Sequence, residues 1–83
     1  IVRQIRVYDA ERGAKWYETL CAYLKNDRLL ALTAQALGVH VNTVQYRLSK
    51  MQERFGFDLS RSSVLFQIML SIQALEEAAY RSL

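Results

Sequence analysis

The sequence predicts a small all-α fold, and its composition is the first reason. Hydrophobic residues make up 52% of the 83 residues, whereas the chain has three glycines and no proline. A β-sheet protein of this size needs more turn residues, so the composition favours long uninterrupted helices. A chain this short forms one hydrophobic core, and we therefore expect a single domain over residues 1–83. Because the chain opens on isoleucine without a methionine, we expect it to be a fragment of a longer protein.

Apolar residues at helical spacing are the second reason, and they predict four helices. The first of these, over about residues 10–26, has an apolar stripe at i, i+3, i+4 and i+7. Its members are Tyr17, Leu20, Cys21 and Leu24. Asp9 is a good N-cap for this helix, and Gly13 is the alternative boundary. Residues 1–8 form either a short extra helical segment or a frayed arm.

A short second helix is predicted over about residues 30–37. Its apolar stripe consists of Leu30, Ala34 and Leu37. Gly38 closes the helix as a C-terminal glycine. Leu29 makes a poor N-cap, so we expect Asp27 to cap this helix and to start it slightly early.

The third predicted helix extends over about residues 41–55. One of its faces is apolar at i, i+4, i+7 and i+11. That face consists of Val44, Leu48, Met51 and Phe55. Gly56 follows as a left-handed C-cap, with Phe57 folding back onto the last turn. His40 is the preferred N-cap, and Asn42 is the alternative.

The fourth predicted helix covers about residues 61–81, and Ser60 or Ser62 caps it. Its apolar stripe consists of Leu65, Ile68, Met69, Ile72, Leu75 and Ala79. Phe66 and Leu70 lie off this stripe, so the helix has more apolar surface than one core face requires. Packing against the first helix is the first interpretation of this surplus, and a contact between two copies of the chain is the second.

The second and third predicted helices together have the spacing of a helix-turn-helix. Only Gly38, Val39 and His40 separate them, which makes a tight turn between a short helix and a longer one. Such helices need a small residue where they approach each other, and Ala34 supplies it. Apolar residues must also hold the second helix against the first. The residues that do so are Leu37, Val39 and Val44.

Hydrogen-bonding side chains crowd the opposite face of the third predicted helix. The outward positions are Asn42, Gln45, Tyr46 and Ser49, with His40 and Val41 at the leading end. Asparagine and glutamine amides can bond both N6 and N7 of adenine, while tyrosine and valine can pack on sugar or on a thymine methyl. The residues suited to phosphate oxygens are Thr43, Arg47 and Lys50. An ordinary solvated face more often holds glutamate and lysine pairs, so this surface favours contact with DNA.

The net charge of +3 is small, and the excess of positive charge surrounds the predicted helix-turn-helix. Residues 28–61 contain five basic side chains and two acidic ones. They are Arg28, Arg47, Lys50, Arg54 and Arg61 against Glu53 and Asp58. A solvated basic face explains this excess as well as nucleic acid does, so charge alone favours DNA only slightly.

Two runs of sequence carry a resemblance to a known family. They are ETLCAYLKND at 18–27 and TAQALGVHVNTVQYRLSKMQERFGFDLS at 33–60, with VHVNTVQYRL as the most specific piece. Over about residues 8–80 the chain resembles the C-terminal helix-turn-helix domain of PucR/CdaR-type bacterial transcription regulators. The resemblance implies a DNA-binding domain of a longer regulator, with double-stranded DNA as its partner and a small-molecule effector on a missing upstream domain. With the apolar surplus of the fourth helix, we also expect a homodimer in the full-length protein.

The match to the family pattern is incomplete. The residues that match it as they stand are His40, Asn42, Thr43, Tyr46 and Arg47. Relatives usually have arginine in place of Val41 and often in place of Gln45. They usually have glycine and asparagine where this chain has Arg28 and Leu29. The two missing arginines bear on DNA affinity and on base preference.

Other function classes have little support in the sequence. There is one histidine and one cysteine, and Glu76 and Glu77 diverge by roughly 100° on a helix. We therefore expect no enzyme activity, no cofactor and no metal site. Cys21 is expected to be a packing residue in a reducing cytoplasm. No run approaches the roughly 18 apolar residues of a membrane span, so we expect a soluble protein without a membrane partner. The alternative to DNA binding is a helical module for protein contact or dimerisation.

Overall fold

The computed structural model describes residues 1–82, and helices account for most of them. In chain order these are α1 (Val2–Arg12), α2 (Trp16–Lys25), α3 (Leu30–Leu37), α4 (Val41–Phe55) and α5 (Ser62–Arg81). Residues 1–82 contain no strand. The all-α prediction is therefore confirmed, and the N-terminal segment that the sequence left open is a helix of its own.

The first predicted helix, over about residues 10–26, is wrong as a single element, and the alternative boundary at Gly13 is confirmed. α1 ends at Gly13, whose φ of 64° is left-handed and whose N–H donates to the Asp9 carbonyl oxygen at 2.8 Å. α2 begins three residues later, at Trp16. The sequence does not reveal α1 because its buried residues are only Val2 and Ile5, too few to form a clear helical stripe.

Asp9 caps α2 from inside α1. Its carboxylate accepts the N–H of Trp16 at 3.0 Å and the N–H of Tyr17 at 2.9 Å. These are two of the donors that the first turn of a helix leaves without an intrahelical partner. The left-handed turn at Gly13 allows α2 to fold back toward this carboxylate. Asp9 thus has the predicted capping role, but it lies in α1 and caps the next helix, so it links the two helices.

An aromatic cluster holds α1, α2 and α4 together at one end of the domain. The rings of Tyr8 and Trp16 stack with centroids 4.0 Å apart. Phe55 meets both rings edge-on, at 6.1 Å from Tyr8 and 6.2 Å from Trp16. Aromatic pairs in these geometries contribute roughly 0.5 to 1.5 kcal/mol beyond the area that they bury.

One hydrophobic core extends through all five helices. Its buried members are Val2, Ile5, Trp16, Leu20, Ala34, Val44, Leu48, Met51, Phe57, Leu59, Ile68 and Ile72. Gly56 ends α4 with a φ of 66°, and Phe57 folds back into the core as predicted. Cys21 is half-buried beside this core, and burial raises the pKa of its thiol above the usual range. A thiol whose pKa is raised holds little thiolate at neutral pH and is a poor nucleophile.

The predicted caps of α3 and α5 are wrong. Asp27 and Arg28 both have left-handed φ values, 55° and 61°, and the N-cap of α3 is Leu29 without a side-chain hydrogen bond. The N-cap of α5 is Arg61, also without one. Ser60 is used in the preceding turn instead, where its N–H and hydroxyl both donate to Asp58 Oδ1, at 2.9 and 2.7 Å. These hydrogen bonds lower the pKa of the Asp58 carboxyl.

α5 packs against α1 through one face and leaves apolar side chains exposed on the other. Ile68 and Ile72 are buried. We call Phe66, Met69 and Leu70 the apolar row of α5, and these side chains are 63%, 50% and 54% exposed. Packing within the domain therefore does not account for the surplus that the sequence contains. None of the helices described over residues 1–82 combines the length and the apolar character needed to cross a membrane.

Candidate nucleic-acid interface

The turn between α3 and α4 has the geometry that the sequence predicts for a helix-turn-helix. Gly38 adopts a left-handed φ of 68°, which a residue with a side chain adopts only with strain. The N–H of Val39 donates to the Ala34 carbonyl at 3.1 Å, and the N–H of Gly38 to that of Gln35 at 3.2 Å. Ala34 is buried where the two helices meet. This turn fixes the direction in which α4 leaves α3.

His40 is the N-cap of α4, so the preferred of the two predicted caps is confirmed. Its Nδ1 accepts the N–H of Asn42 at 3.0 Å, and its carbonyl accepts the N–H of Thr43 at 3.0 Å. A ring nitrogen that accepts a hydrogen bond has no proton of its own, so the imidazole proton lies on Nε2. That N–H belongs to an exposed side chain at the leading end of α4 and can donate to an external oxygen.

α4 turns one face to the core and the opposite face to solvent. Val44 and Met51 are fully buried, Leu48 is 5% exposed, and Phe55 is half-buried. The outward face of α4 consists of Asn42, Gln45, Tyr46 and Ser49, all of which are exposed. Tyr46 is 62% exposed although it is a large aromatic residue. The predicted facing of this helix is therefore correct.

Two of the predicted DNA-contacting residues are less accessible than the outward face. Val41 is half-buried and packs against the core, so only part of its side chain is free for an external contact. Thr43 is half-buried on the flank of the helix. Their positions suit contacts at the border of the surface rather than at its centre.

Arg47 connects α4 to α2. Its Nη1 donates to Thr19 Oγ1 at 3.2 Å, and the hydroxyl of Thr19 donates to the Lys15 carbonyl at 2.7 Å. Thr19 is fully buried, and Arg47 is half-buried. The guanidinium has five N–H groups, and this bond uses one of them. Arg47 thus has a structural role that the sequence analysis missed, because the two partners are 28 residues apart.

Lys50 shares its charge with a neighbouring carboxylate. Its Nζ lies 3.7 Å from Glu53 Oε2 and 5.8 Å from the centroid of the Tyr46 ring. Both charged side chains are well exposed, and ion pairs of this kind contribute at most about 1 kcal/mol. A phosphate can therefore replace Glu53 as the partner of Lys50 at little cost.

The fold and this surface define a class of protein, a small helical domain built around a helix-turn-helix. Comparison with known families gives the same result. The PucR C-terminal helix-turn-helix domain matches residues 16–74, which is the chain from α2 to most of α5. The protein belongs to this family and is a DNA-binding domain of a transcriptional regulator.

Two characterised relatives agree with this assignment. The chain is 43% identical over 65 residues to the transcriptional activator PmfR of Paenarthrobacter nicotinovorans. It is 29% identical over 70 residues to the DNA-binding transcriptional activator AdeR of Bacillus subtilis (strain 168). These alignments cover 78% and 84% of the chain, but only 14% and 17% of the two relatives. No solved structure matches the chain.

Proposed function

We propose that this domain binds specific DNA sequences by placing α4 in the major groove, with the outward face of α4 against the base edges. The observation that carries the proposal is the exposure of two amide side chains, Asn42 and Gln45, on the face opposite the core. Each can form a bidentate pair with adenine N6 and N7, and Tyr46 can pack on a thymine methyl or a sugar. Ser49 completes the row one turn further along.

Residues around this face are suited to phosphates. His40 has a donor at Nε2, and Lys50 has an exposed ammonium group. Arg47 has guanidinium N–H groups beyond the one given to Thr19, and Thr43 lies on the same flank. Val41 lies at the border of the outward face of α4. Contacts to phosphate fix orientation and register, whereas contacts to base edges supply specificity.

The complete regulator is proposed to be a cytoplasmic homodimer that responds to a small molecule bound by an upstream domain. The apolar row of α5 supports the dimer, because exposed apolar side chains at helical spacing favour a protein partner. Dimeric helix-turn-helix proteins reach half-sites about 34 Å apart, so the preferred site would be nearly palindromic. Both relatives are named as transcriptional activators, which supports a role as a regulator.

A second candidate function is a helical module for protein contact, in which the apolar row of α5 is the working surface. The exposure of Phe66, Met69 and Leu70 favours it. The two functions differ in their response to salt, because neutralising phosphates releases counterions and burying apolar surface does not.

Electrophoretic mobility shifts with genomic fragments at two salt concentrations test the proposal. We expect retarded complexes that weaken steeply as salt rises, together with preference for a few fragments over the rest. Binding that ignores salt, or equal binding to every fragment, contradicts sequence-specific recognition. The isolated chain should bind unrelated duplex DNA in the range of about 10⁻⁴ to 10⁻⁶ M that is typical of non-specific contact.

A further inference from the structure

A second basic surface lies next to the outward face of α4. A cleft of about 330 Å³ opens between the aromatic cluster and α4. Its lining consists of Tyr8, Trp16, Tyr46, Lys50, Glu53 and Arg54. We call it the α1–α4 cleft. Because Tyr46 and Lys50 belong both to α4's solvent side and to this cleft, the cleft continues the proposed DNA surface toward α1.

Two arginines from different helices converge on one ring beside this cleft. The guanidinium carbon of Arg12 lies 4.6 Å from the Tyr8 ring centroid, and that of Arg54 lies 4.7 Å from the same centroid. Both guanidinium groups therefore lie beside the same ring. Trp16 stacks on Tyr8 and occupies one face of the ring, which confines the guanidinium groups to the remaining part of its surroundings.

The charge of this pair is not balanced by the protein. Neither Arg12 nor Arg54 forms an ion pair within residues 1–82. The carboxylate that lines the cleft, that of Glu53, lies within ion-pair distance of Lys50 and of neither arginine. Both guanidinium groups lie against the same Tyr8 ring, so an anion that binds beside this ring is attracted by two positive charges. Both side chains are exposed, so a large anion such as a phosphodiester can reach them.

We propose that the α1–α4 cleft binds the phosphate backbone of the duplex beyond the base pairs that α4 reads, which makes α1 part of the DNA interface. This inference rests on the proposed function. It also extends beyond the family match, which begins at residue 16 and leaves Tyr8 and Arg12 outside. The aromatic cluster gives the site rigidity, because stacking of Tyr8 on Trp16 fixes the platform on which both guanidinium groups lie.

The test uses neutral variants and two duplexes. Arg54→Gln removes a charge that lines the cleft, and Arg12→Gln removes the charge that lies against the Tyr8 ring beside it. Arg6→Gln is the matched control, because Arg6 also lies on α1, is exposed, and has its guanidinium carbon 5.3 Å from a tyrosine centroid, that of Tyr17. Both duplexes carry the site that the 83-residue chain selects from a random-sequence pool. One duplex ends at the base pairs being read, and the other extends about 10 base pairs further on each side.

On the extended duplex we expect Arg12→Gln and Arg54→Gln to lower affinity several-fold and to reduce the salt slope by about 1 each. Arg6→Gln should bind like the parent chain. On the short duplex all three variants should bind like the parent. Hydroxyl-radical footprints should lose protection at one edge of the site for the two cleft variants and remain unchanged at its centre. Circular dichroism checks that each variant is folded.

The two proposals fail in different ways. If all three variants bind the extended duplex like the parent, while Gln45→Ala still loses its preference for the selected sequence, the cleft proposal is wrong and the proposed function stands. If the parent chain selects no sequence from the pool, the proposed function fails and the cleft proposal falls with it. If Arg6→Gln weakens binding as much as Arg12→Gln, the effect is general charge loss and the cleft proposal is likewise overturned.

Discussion

α4 and α5 are the two longest helices of the domain, and they differ in the chemistry that they leave in solvent. Each buries one apolar face in the same core. On the other side, α4 presents amides, a hydroxyl and a tyrosine, whereas α5 presents its apolar row of phenylalanine, methionine and leucine. Helical periodicity alone does not separate the two helices, because it reports only which face is buried.

The difference between these exposed faces indicates different partners. Amide groups have donors and acceptors in fixed positions, so they can distinguish one base edge from another. An exposed apolar row has no such directionality, and it gains most from contact with another apolar surface. From this comparison we propose DNA as the partner of the outward face of α4 and a second protein surface as the partner of the apolar row of α5.

The largest expected effect is on stability, and it should differ between the buried face of α4 and the apolar row of α5. Val44→Asp should unfold the domain, because the Val44 side chain is fully buried in the core. An unpaired buried carboxylate costs several kcal/mol, against a total stability of about 5 kcal/mol. Phe66→Asp is the matched change on α5, where the side chain is 63% exposed, and it should leave the melting temperature nearly unchanged.

Circular dichroism during a thermal melt measures both variants. A folded Val44→Asp variant with the parent melting temperature would mean that the facing of α4 is wrong, and every outward assignment would fall with it. Sedimentation at high protein concentration measures the oligomeric state of the same variants. If the apolar row of α5 joins two copies, Phe66→Asp should shift any dimer toward monomer without unfolding it.

The next effect concerns base discrimination. Gln45→Ala should lose about 1 to 3 kcal/mol of preference at one or two positions of a selected site, with little change on scrambled DNA. Asn42→Ala should behave in the same way at other positions. The control is Gln67→Ala, which removes an exposed amide from α5. It should change neither the affinity for the selected duplex nor that for the scrambled duplex. Fluorescence anisotropy on selected and scrambled duplexes gives the two affinities, and equal losses on both duplexes for Gln45→Ala would contradict base reading.

A smaller effect is expected from the cap that Asp9 provides. Asp9→Ala removes the acceptor for the first two amides of α2 and should lower the free energy of unfolding by about 0.5 to 2 kcal/mol. Glu11→Ala, a change at an exposed position of the same helix, is the control. Because neither exposed face changes, the ratio of specific to non-specific DNA affinity should stay the same. Urea titration measures the free energy of unfolding. Equal values for Asp9→Ala and Glu11→Ala would contradict the capping role of Asp9.

The smallest effect is expected at Arg47, whose contacts are divided between protein and proposed phosphate. Arg47→Ala removes the hydrogen bond to Thr19, which should cost about 0.5 to 1.5 kcal/mol of stability. It should also weaken binding to all duplexes alike and reduce the salt slope by about 1. Melting temperature and salt-dependent affinity are measured on the same variant. A changed base preference would place Arg47 among the base-reading residues.

The sequence predicts α3, the turn and α4 well because the relevant signals are local. A stripe of apolar residues, a small residue at the helix contact and glycine at the left-handed turn all lie within residues 30–56. The facing of α4 follows from the same stripe. The family match has the same origin, because the VHVNTVQYRL run contains the turn and the first turns of α4.

Features that depend on contacts between distant residues were missed. α1 buries only two residues, so its stripe is too weak to separate it from α2. The caps of α3 and α5 were wrong because Asp27 and Ser60 are used in turns where their positions depend on the path of the chain. Thr19 and Arg47 form a hydrogen bond although they are 28 residues apart in the chain. Such a contact leaves no periodic pattern in the sequence. The convergence of two arginines on Tyr8 is invisible for the same reason.

The most direct measurement of the central comparison is an NMR titration of the ¹⁵N-labelled chain with a duplex that carries its selected site. Amide shifts report which helix face meets the DNA without any mutation. We predict that the largest changes fall on residues 40–50, that smaller changes reach Arg12 and Arg54, and that the apolar row of α5 does not respond. Changes concentrated on the apolar row of α5, with α4 unaffected, would contradict the assignment of DNA to α4.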